Sequence, residues 1–541
     1  MGHTIRLDGS CFSLETAALI ARGYWEDGVH RYPVIELAPG IADKLRDFRA
    51  GLEKAGETQA IYGYNTGCGS RKCVMIPPEE IDAFQAHYIP AHCVGFGDSF
   101  PEEIIRLAIA LRVNSFTHGH SGVRVELCEA LLALYNRGVI PFVPEKGSVG
   151  SSGDLCPLAH VSAVIIGLED QEAWFGGALR SAPDALRLAE LEPIVLKGKE
   201  AMALTNGATF TNALGLLATH DAMQTLQHGT IAAALSLEAV RGEKGAFDER
   251  IHKARRHEGE QEVAAAILDL TAGSGRMTDA CQRAALRDEH KKYDPNGGLI
   301  PRVQDAYSFR CWPQVAGPAL DLLKRAEQVF VNESGAATDN PLIFREEDGS
   351  YTPISGGNFH GEGLGHALNG VKLAMQSIAG VGDRQFYALL DPCHSYGLPP
   401  DLAGSSDLNT GLMIAQYLTA ALYAEGMVLS HPAVATSVPT SAGQEDYVAM
   451  ATIDGRLCRE LVENTAAVVA WHLVAAAQGI SLTDAALESP ALGRGTAVAF
   501  RLIREALPAM DDDRYLRKDH RIMLKLMESG KILEAVSSAL A

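Results

Sequence analysis

Basic residues are scarce in this chain: 47 lysines and arginines stand against 67 aspartates and glutamates in 541 residues, a formal net charge of −20. A surface of that sign repels phosphate backbones and anionic headgroups, which argues against nucleic acid or an anionic membrane as partner. Cysteine is sparse too, at ten, and none of the ten falls in a CxxC pair. That removes a cysteine-paired zinc site and a secreted disulfide scaffold, and leaves the thiols as reduced, mostly small core residues. No apolar run reaches the roughly eighteen residues of a membrane span, and the opening MGHTIRLDGS has no apolar leader. The expectation is a cytoplasmic protein.

What remains is an ordinary globular composition, 47% hydrophobic and 21% charged, over a length several times what one buried core requires. Its 53 glycines gather in short polar clusters, the pattern of loops shaped around a site. Beyond about residue 200 the chain is dominated by Ala/Leu-rich segments of helical spacing. Helices are expected at 209–227, 319–332 after Pro318, 363–390, 411–429, 448–477 and 497–507. Their apolar faces are wide, which predicts burial inside a bundle or against another subunit. The first 200 residues differ, with shorter helices at 101–111 and 125–136 among turn-rich stretches. The reading is therefore a mostly α protein with two regions packed together, residues 1–200 and 201–541.

The most informative stretch is Glu145-Lys-Gly-Ser-Val-Gly-Ser-Ser-Gly-Asp-Leu-Cys-Pro-Leu-Ala-His160, a glycine-rich loop before a helix expected to be capped by Asp154. It lacks the Lys-Ser/Thr ending of a phosphate-binding loop and the GxGxxG order of a dinucleotide fingerprint. A tight bend here permits another chemistry. The Gly153 nitrogen, unhindered by a side chain, is free to attack the Ser151 carbonyl, and ring closure loses water. Loss of a second water from Ser152 then leaves a methylidene conjugated to an imidazolone, an electrophile that no standard side chain supplies.

This loop resembles the segment that forms 4-methylideneimidazole-5-one (MIO) in the aromatic amino acid ammonia-lyase and aminomutase family. Ser151-Ser152-Gly153 stands where the family usually has Ala-Ser-Gly, and the first residue lends only its backbone to the ring. The resemblance extends along nearly the whole chain through Tyr62-Gly-Tyr-Asn-Thr-Gly67, Leu204-Thr-Asn-Gly207, Gln304-Asp-Ala-Tyr-Ser-Phe-Arg310, Thr338-Asp-Asn-Pro341, Ser355-Gly-Gly-Asn-Phe-His360 and Gln444-Glu-Asp446, all in the family's order. It implies an ammonia-lyase/fumarase-like fold: an MIO-bearing N-terminal region, a long central helical bundle, and a homotetramer whose subunits share active sites.

The resemblance also implies roles. The catalytic set is Tyr62, Ser151, Ser152, Gly153, Asn206, Tyr307 and Arg310. Tyr62 matches the β-proton base, which needs its pKa lowered by neighbouring donors. Arg310 matches the clamp on the substrate carboxylate, Tyr307 a second tyrosine near the ring, and Asn206 the first donor to the imidazolone oxygen. The substrate-binding set is His92, Gln304, Asn340, Phe359, Gln444 and Glu445, with Phe359 lining the ring-side pocket.

Ala91-His92 and Gln444-Glu445 resemble the histidine-specific ammonia-lyases, because a carboxylate suits an imidazole and would be desolvated without a partner against a phenyl ring. The implied reaction takes L-histidine to trans-urocanate and ammonia. Tyr64, Cys68, Ala91, Ala208 and Trp312 depart from the pattern at positions expected near the pocket. A lyase or 2,3-aminomutase acting on tyrosine or phenylalanine therefore stays open, as does a noncatalytic helical homologue. His118 and His120 have no matching carboxylate or cysteine spacing and are read as turn or helix-end residues, with no metal proposed.

Overall fold

The computed structural model describes residues 3–283, 302–404 and 408–541. The fold is mostly α-helical, with small two- and three-stranded sheets. It forms two compact units: Met1–His220 with Ala326–Asn369 and Pro432–Arg456, and Asp221–Arg325 with Gly370–His431 and Leu457–Ala541. A single cut near residue 200 does not describe this division. The segments at 326–369 and 432–456 join the first unit because their backbones bond into it: Phe12 N donates to Ser334 Oγ (2.8 Å), and Ile343 N donates to His120 O (2.9 Å). Gly361 N donates to Gly150 O (2.9 Å) and Met450 N to Val149 O (2.7 Å).

In the first unit the helix Glu102–Phe116 is buried all round from Ile104 onward, and outruns the expected 101–111. Its later polar residues are paired inside the core. Asn114 Nδ2 donates to Ser334 O (2.8 Å), and Arg112 Nη1 donates to Asn206 O (2.6 Å). The helix Val125–Arg137 stops because Gly138 takes a left-handed conformation (φ 72°, ψ 31°) and Val139 N donates back to Leu134 O (3.0 Å). That closes its free carbonyls.

The helix Leu155–Ile165 is apolar on almost every side and buried. Asp154 does not cap it: its side chain makes no capping bond there. Instead Asp154 Oδ2 accepts from Thr211 N (2.8 Å), near the start of the Thr209–Ala239 helix. One carboxylate thus ends one loop and satisfies the free N–H of another helix.

Four residues, Leu52, Ile61, Ile343 and Tyr351, form a buried cluster against which Phe48, Ala55 and Tyr64 pack. Tyr64, half-buried, packs against this core cluster. The apolar pattern that suggested a helix from 448 yields one from Ala451 to Thr483. Residues 448–450 are drawn away because their N–H groups bond to Ser437 Oγ, Ser151 Oγ and Val149 O.

The second unit is built from longer, more regular helices. The helix Trp312–Ser334 begins earlier than expected, with Pro318 inside it. The fully buried Trp312 anchors its start, and the indole Nε1 donates to Thr230 Oγ1 (3.3 Å). Trp312 is thus a core residue of this unit, and a large one, whose burial is worth roughly 2–3 kcal/mol or more. Ser236 Oγ and His472 Nε2 pair at 2.8 Å between two further helices, and burial pushes the His472 imidazole down to about 3.

The Met413–Leu429 helix buries only Ala415, Thr419, Gly426 and Leu429. Ile414, Tyr417, Met427 and Val428 are exposed, Val428 by 75%. Among the described residues, one helix, Ala451–Thr483, is long and apolar enough to cross a membrane, and its most apolar stretch is mostly buried. None of the ten cysteines is in a disulfide, and only Cys128, Cys156, Cys281 and Cys458 are buried. The expectation of mostly core thiols holds for those four, while Cys11 and Cys73 are exposed.

Candidate active site

The site grows from the bend at 147–154. Ser152 and Gly153 both have positive φ (71° and 76°). A Cβ on Gly153 would lie 2.1 Å from the Gly207 backbone, so no side chain fits at that position. Gly153 and Gly207 pair as an isolated parallel bridge, and Asp154 N donates to Gly207 O (2.8 Å). The bend is thus pinned against the 206–207 turn that follows the short helix Glu200–Thr205.

That pinning fixes the Ser152 carbonyl oxygen. Asn206 Nδ2 donates to it at 2.6 Å and Gly207 N at 3.3 Å. Asn206 is itself held by Arg112, and its Oδ1 is buried with no partner among the described residues. The Ser152 hydroxyl donates to Glu445 Oε1 in a short bond, while Thr440 Oγ1 holds Glu445 Oε2 (2.7 Å). The Ser151 hydroxyl is buried, accepts from Ala449 N (2.5 Å) and lies 3.4 Å from His360 Nε2.

Below the bend, Asp154 Oδ1 accepts from Ser148 Oγ (2.7 Å), Thr211 Oγ1 (3.1 Å) and Thr452 Oγ1 (2.7 Å). Full burial raises the Asp154 pKa, and these donors oppose the rise. Nothing in the sequence marked Thr211 or Thr452, because the network forms only when three distant segments meet. Gly207 was legible only as the end of a motif.

Tyr62 sits on a neighbouring loop, where Gly69 N donates to its oxygen (2.8 Å). Burial is the main force on this phenol and pushes its pKa up to about 12, against the Gly69 donor and with help from Cys68 and Glu445. The lowering expected for a base is absent in the resting site. Burial likewise pushes the Cys68 thiol up to about 12. The loop meets the Glu445 segment where Lys72 Nζ donates to Gln444 Oε1 (2.7 Å).

Behind Tyr62, the fully buried Lys199 and Asp339 pair at 2.8 Å. Lys199 N also donates to Gly63 O (3.1 Å). This buried pair, absent from the expected set, links the tyrosine loop to the segment carrying Asn340.

His92 ends the helix Ile81–His92 and stacks on Tyr88 with ring centroids 3.9 Å apart. Its Nδ1 lies 2.7 Å from Tyr88 O, an acceptor, so Nδ1 carries the proton and Nε2 is left with a lone pair. Burial lowers the His92 pKa, partly offset by Tyr88 O and the Glu445 charge. Asn340 Oδ1 accepts from Gly356 N (2.8 Å) at the start of the loop that bears the half-buried Phe359.

In the first unit, then, Ser151, Ser152, Gly153, Asn206 and Glu445 join directly through hydrogen bonds or adjacent backbone. Gln444 and Tyr62 reach them through Lys72 and Gly69. His92 is linked by the Glu445 charge, and Asn340 and Phe359 lie on the adjoining loop.

Gln304, Tyr307 and Arg310 belong to the second unit. Tyr307–Arg310 is a one-turn helix with Phe309 buried beneath it. Tyr307 is 73% exposed, and the Arg310 guanidinium lies 4.5 Å from its ring centroid. Gln304 is exposed beside the buried Asp305. His118 Nε2 and His120 Nδ1 each face a carbonyl, Gly335 O (2.8 Å) and Ile343 O (3.1 Å). Among the described residues no three His, Cys, Asp or Glu are grouped to hold a metal.

Residues 25–505 match the aromatic amino acid lyase family. The chain is 38% identical over 536 residues to histidine ammonia-lyase of Alkaliphilus oremlandii, covering 99% of each chain. The crystal structure of histidine ammonia-lyase from Trypanosoma cruzi superposes with a TM-score of 0.86 at 32% identity, covering 99% of this chain and 96% of that one. Tyrosine aminomutase from Streptomyces globisporus superposes with a TM-score of 0.87 at 29% identity, covering 99% and 98%. The chain belongs to the aromatic amino acid lyase family.

Proposed function

We propose that this lyase eliminates ammonia from L-histidine to give trans-urocanate, using an MIO group formed from Ser151, Ser152 and Gly153. The observation that carries the reading is the Ser152 carbonyl, held by Asn206 Nδ2 and Gly207 N in a left-handed bend where only glycine fits at 153. Those residues suit the group, since its ring would retain this oxygen and use the Gly153 nitrogen. When formed, the group supplies an electrophile that makes the substrate amine a better leaving group. Asn206 and Gly207 then stabilise negative charge on the Ser152 oxygen, with donors already in place.

Tyr62 takes the β-proton as its phenolate. The Gly69 N–H stabilises that form, while burial and the Glu445 charge make it scarce and strongly basic. Arg310 supplies the clamp on the substrate carboxylate through its planar fork, with Gln304 and Tyr307 on the same segment. His92 Nε2 accepts from one N–H of the substrate imidazolium, and the Glu445 carboxylate accepts from the other. Gln444, Asn340 and Phe359 enclose the ring.

Exposed Tyr307 and the exposed apolar face of Met413–Leu429 support a homotetramer in which subunits share active sites. The unbridged cysteines support a cytoplasmic enzyme.

The test is a product assay on L-histidine, L-tyrosine and L-phenylalanine, following ammonia, arylacrylate absorbance and β-amino acid by NMR. Urocanate and ammonia from histidine alone is the expected result. Cinnamate or coumarate would overturn the assignment of His92 and Glu445, and a β-amino acid would make the enzyme an aminomutase.

A further inference from the structure

We infer that Glu445 relays the proton that releases the Ser152 hydroxyl during formation of the prosthetic group, and that this release is what frees Glu445 for substrate. The inference rests on the reading that Ser151-Ser152-Gly153 cyclises. Three observations carry it. The Ser152 hydroxyl is bonded to Glu445 Oε1. The other carboxylate oxygen is fixed by Thr440 Oγ1 (2.7 Å), and the Thr440 and Glu445 backbones pair with N–O distances of 2.8 and 3.3 Å. The Ser152 carbonyl oxygen carries two donors, which acidify the Cα–H next to it.

The chemistry balances on these groups. The Gly153 nitrogen bonds to the Ser151 carbonyl carbon, and its proton passes to the former carbonyl oxygen. That hydroxyl leaves with the Ser152 N–H proton as the first water, forming C=N. The Ser152 Cα–H bond then supplies the electron pair of the new Cα=Cβ bond while Cβ–Oγ breaks. Hydroxide is a poor leaving group, so Oγ must gain a proton as it leaves: the Glu445 carboxylate, bonded to that hydroxyl, relays one from solvent water to Oγ, and the second water departs. The Cα proton passes to solvent water in its place, leaving Glu445 unchanged overall.

Before this step Oε1 is occupied by the Ser152 hydroxyl. Afterwards that partner no longer exists, and the carboxylate faces the space it left. One residue therefore serves maturation first and substrate second.

The experiment is intact-mass spectrometry of the full-length protein at timed intervals after synthesis, for wild type, Glu445→Gln, Glu445→Asp and Thr440→Val, with circular dichroism and thermal melting as the check on folding. Wild type should become two waters lighter. Glu445→Gln should accumulate chains lighter by only one water, with the second loss slowed at least about tenfold, a loss on the scale of one general acid–base group. Glu445→Asp should recover part of the rate, and Thr440→Val, which keeps the carboxylate but frees it, should slow the second loss by a smaller factor.

Folded Glu445→Gln that loses both waters at the wild-type rate overturns the proposal. Wild type that loses none overturns instead the reading that the loop cyclises. If Glu445→Gln does not fold, Thr440→Val decides: an unchanged second loss in that variant overturns the proposal.

Discussion

The two units of this protein treat polar groups differently. In the first, Asp154, Asn206, Lys199 and Asp339 are all buried and hydrogen-bonded across segments far apart in sequence. The bend they surround is held in a left-handed conformation that an isolated peptide would leave. In the second, buried polar groups such as Ser236 with His472 and Glu238 with Gly493 N tie regular helices to one another rather than converging on a bend, and Tyr307 and Gln304, proposed for the carboxylate end, are exposed. A strained loop needs an over-determined setting, which the first unit supplies. A helical unit offers side chains on a regular lattice, suited to presenting an arginine or a tyrosine to another surface.

The largest predicted effects break the first unit's side of this comparison. Ser152→Ala removes the hydroxyl that must leave as the second water, so that second loss should never occur, and activity should fall by at least about 10³-fold, the scale of losing an essential activating group. Gly153→Ala introduces a Cβ that meets the Gly207 backbone at 2.1 Å. It should abolish the water losses while the second unit's helical signal persists.

The next prediction probes the second unit. Arg310→Met should lower kcat/KM by about 10²–10³-fold through loss of a charge-assisted carboxylate contact. If subunits share sites, mixing Arg310→Met with Ser152→Ala chains during expression should restore measurable activity that neither variant has alone. A mixture as inactive as its components would show that each site takes its parts from one chain.

A smaller effect concerns His92. Its lowered pKa means the folded protein binds fewer protons than the unfolded chain as pH falls through the usual histidine value. Stability from this group is therefore present above that range and lost below it. His92→Leu should flatten that part of the denaturation profile and raise KM for histidine more than it lowers kcat. Activity of wild type should fall as Nε2 becomes protonated.

The smallest effect is at high pH. With the Tyr62 pKa pushed up from 10 to about 12, the folded state holds a proton that the unfolded chain releases, so stability falls between pH 10 and 12. Tyr62→Phe should lessen that fall in urea titrations at pH 8 and 11. In the wild type kcat/KM should rise with pH as phenolate becomes available; a flat profile through the alkaline range would remove Tyr62 as the base.

Much of this was legible before any coordinates. The Gly147–Gly153 loop announced itself because small residues cluster only where a backbone must bend sharply, and Glu362–Leu390 follows its helical pattern to within a residue of the expected start. Other readings went astray for identifiable reasons. Asp154 looked like a cap for its own helix because capping is a local rule, whereas its carboxylate is claimed by Thr211 N at the start of another helix. Tyr64 and Trp312 looked like pocket residues because a departure from a motif does not say which way a side chain points. Trp312 is buried in a core, and Tyr64 packs half-buried against one.

The sequence by itself determined the helical framework, the candidate electrophile and the membership of the family, because periodicity, small-residue bends and ordered motifs are properties of the chain alone. Only the tertiary structure decided that the 326–369 and 432–456 segments fold with the first 220 residues, that Glu445 lies on the Ser152 hydroxyl, and that the Tyr62 phenol is raised rather than lowered. Those outcomes depend on burial and on hydrogen bonds between residues hundreds of positions apart, quantities that exist only once the chain has closed on itself.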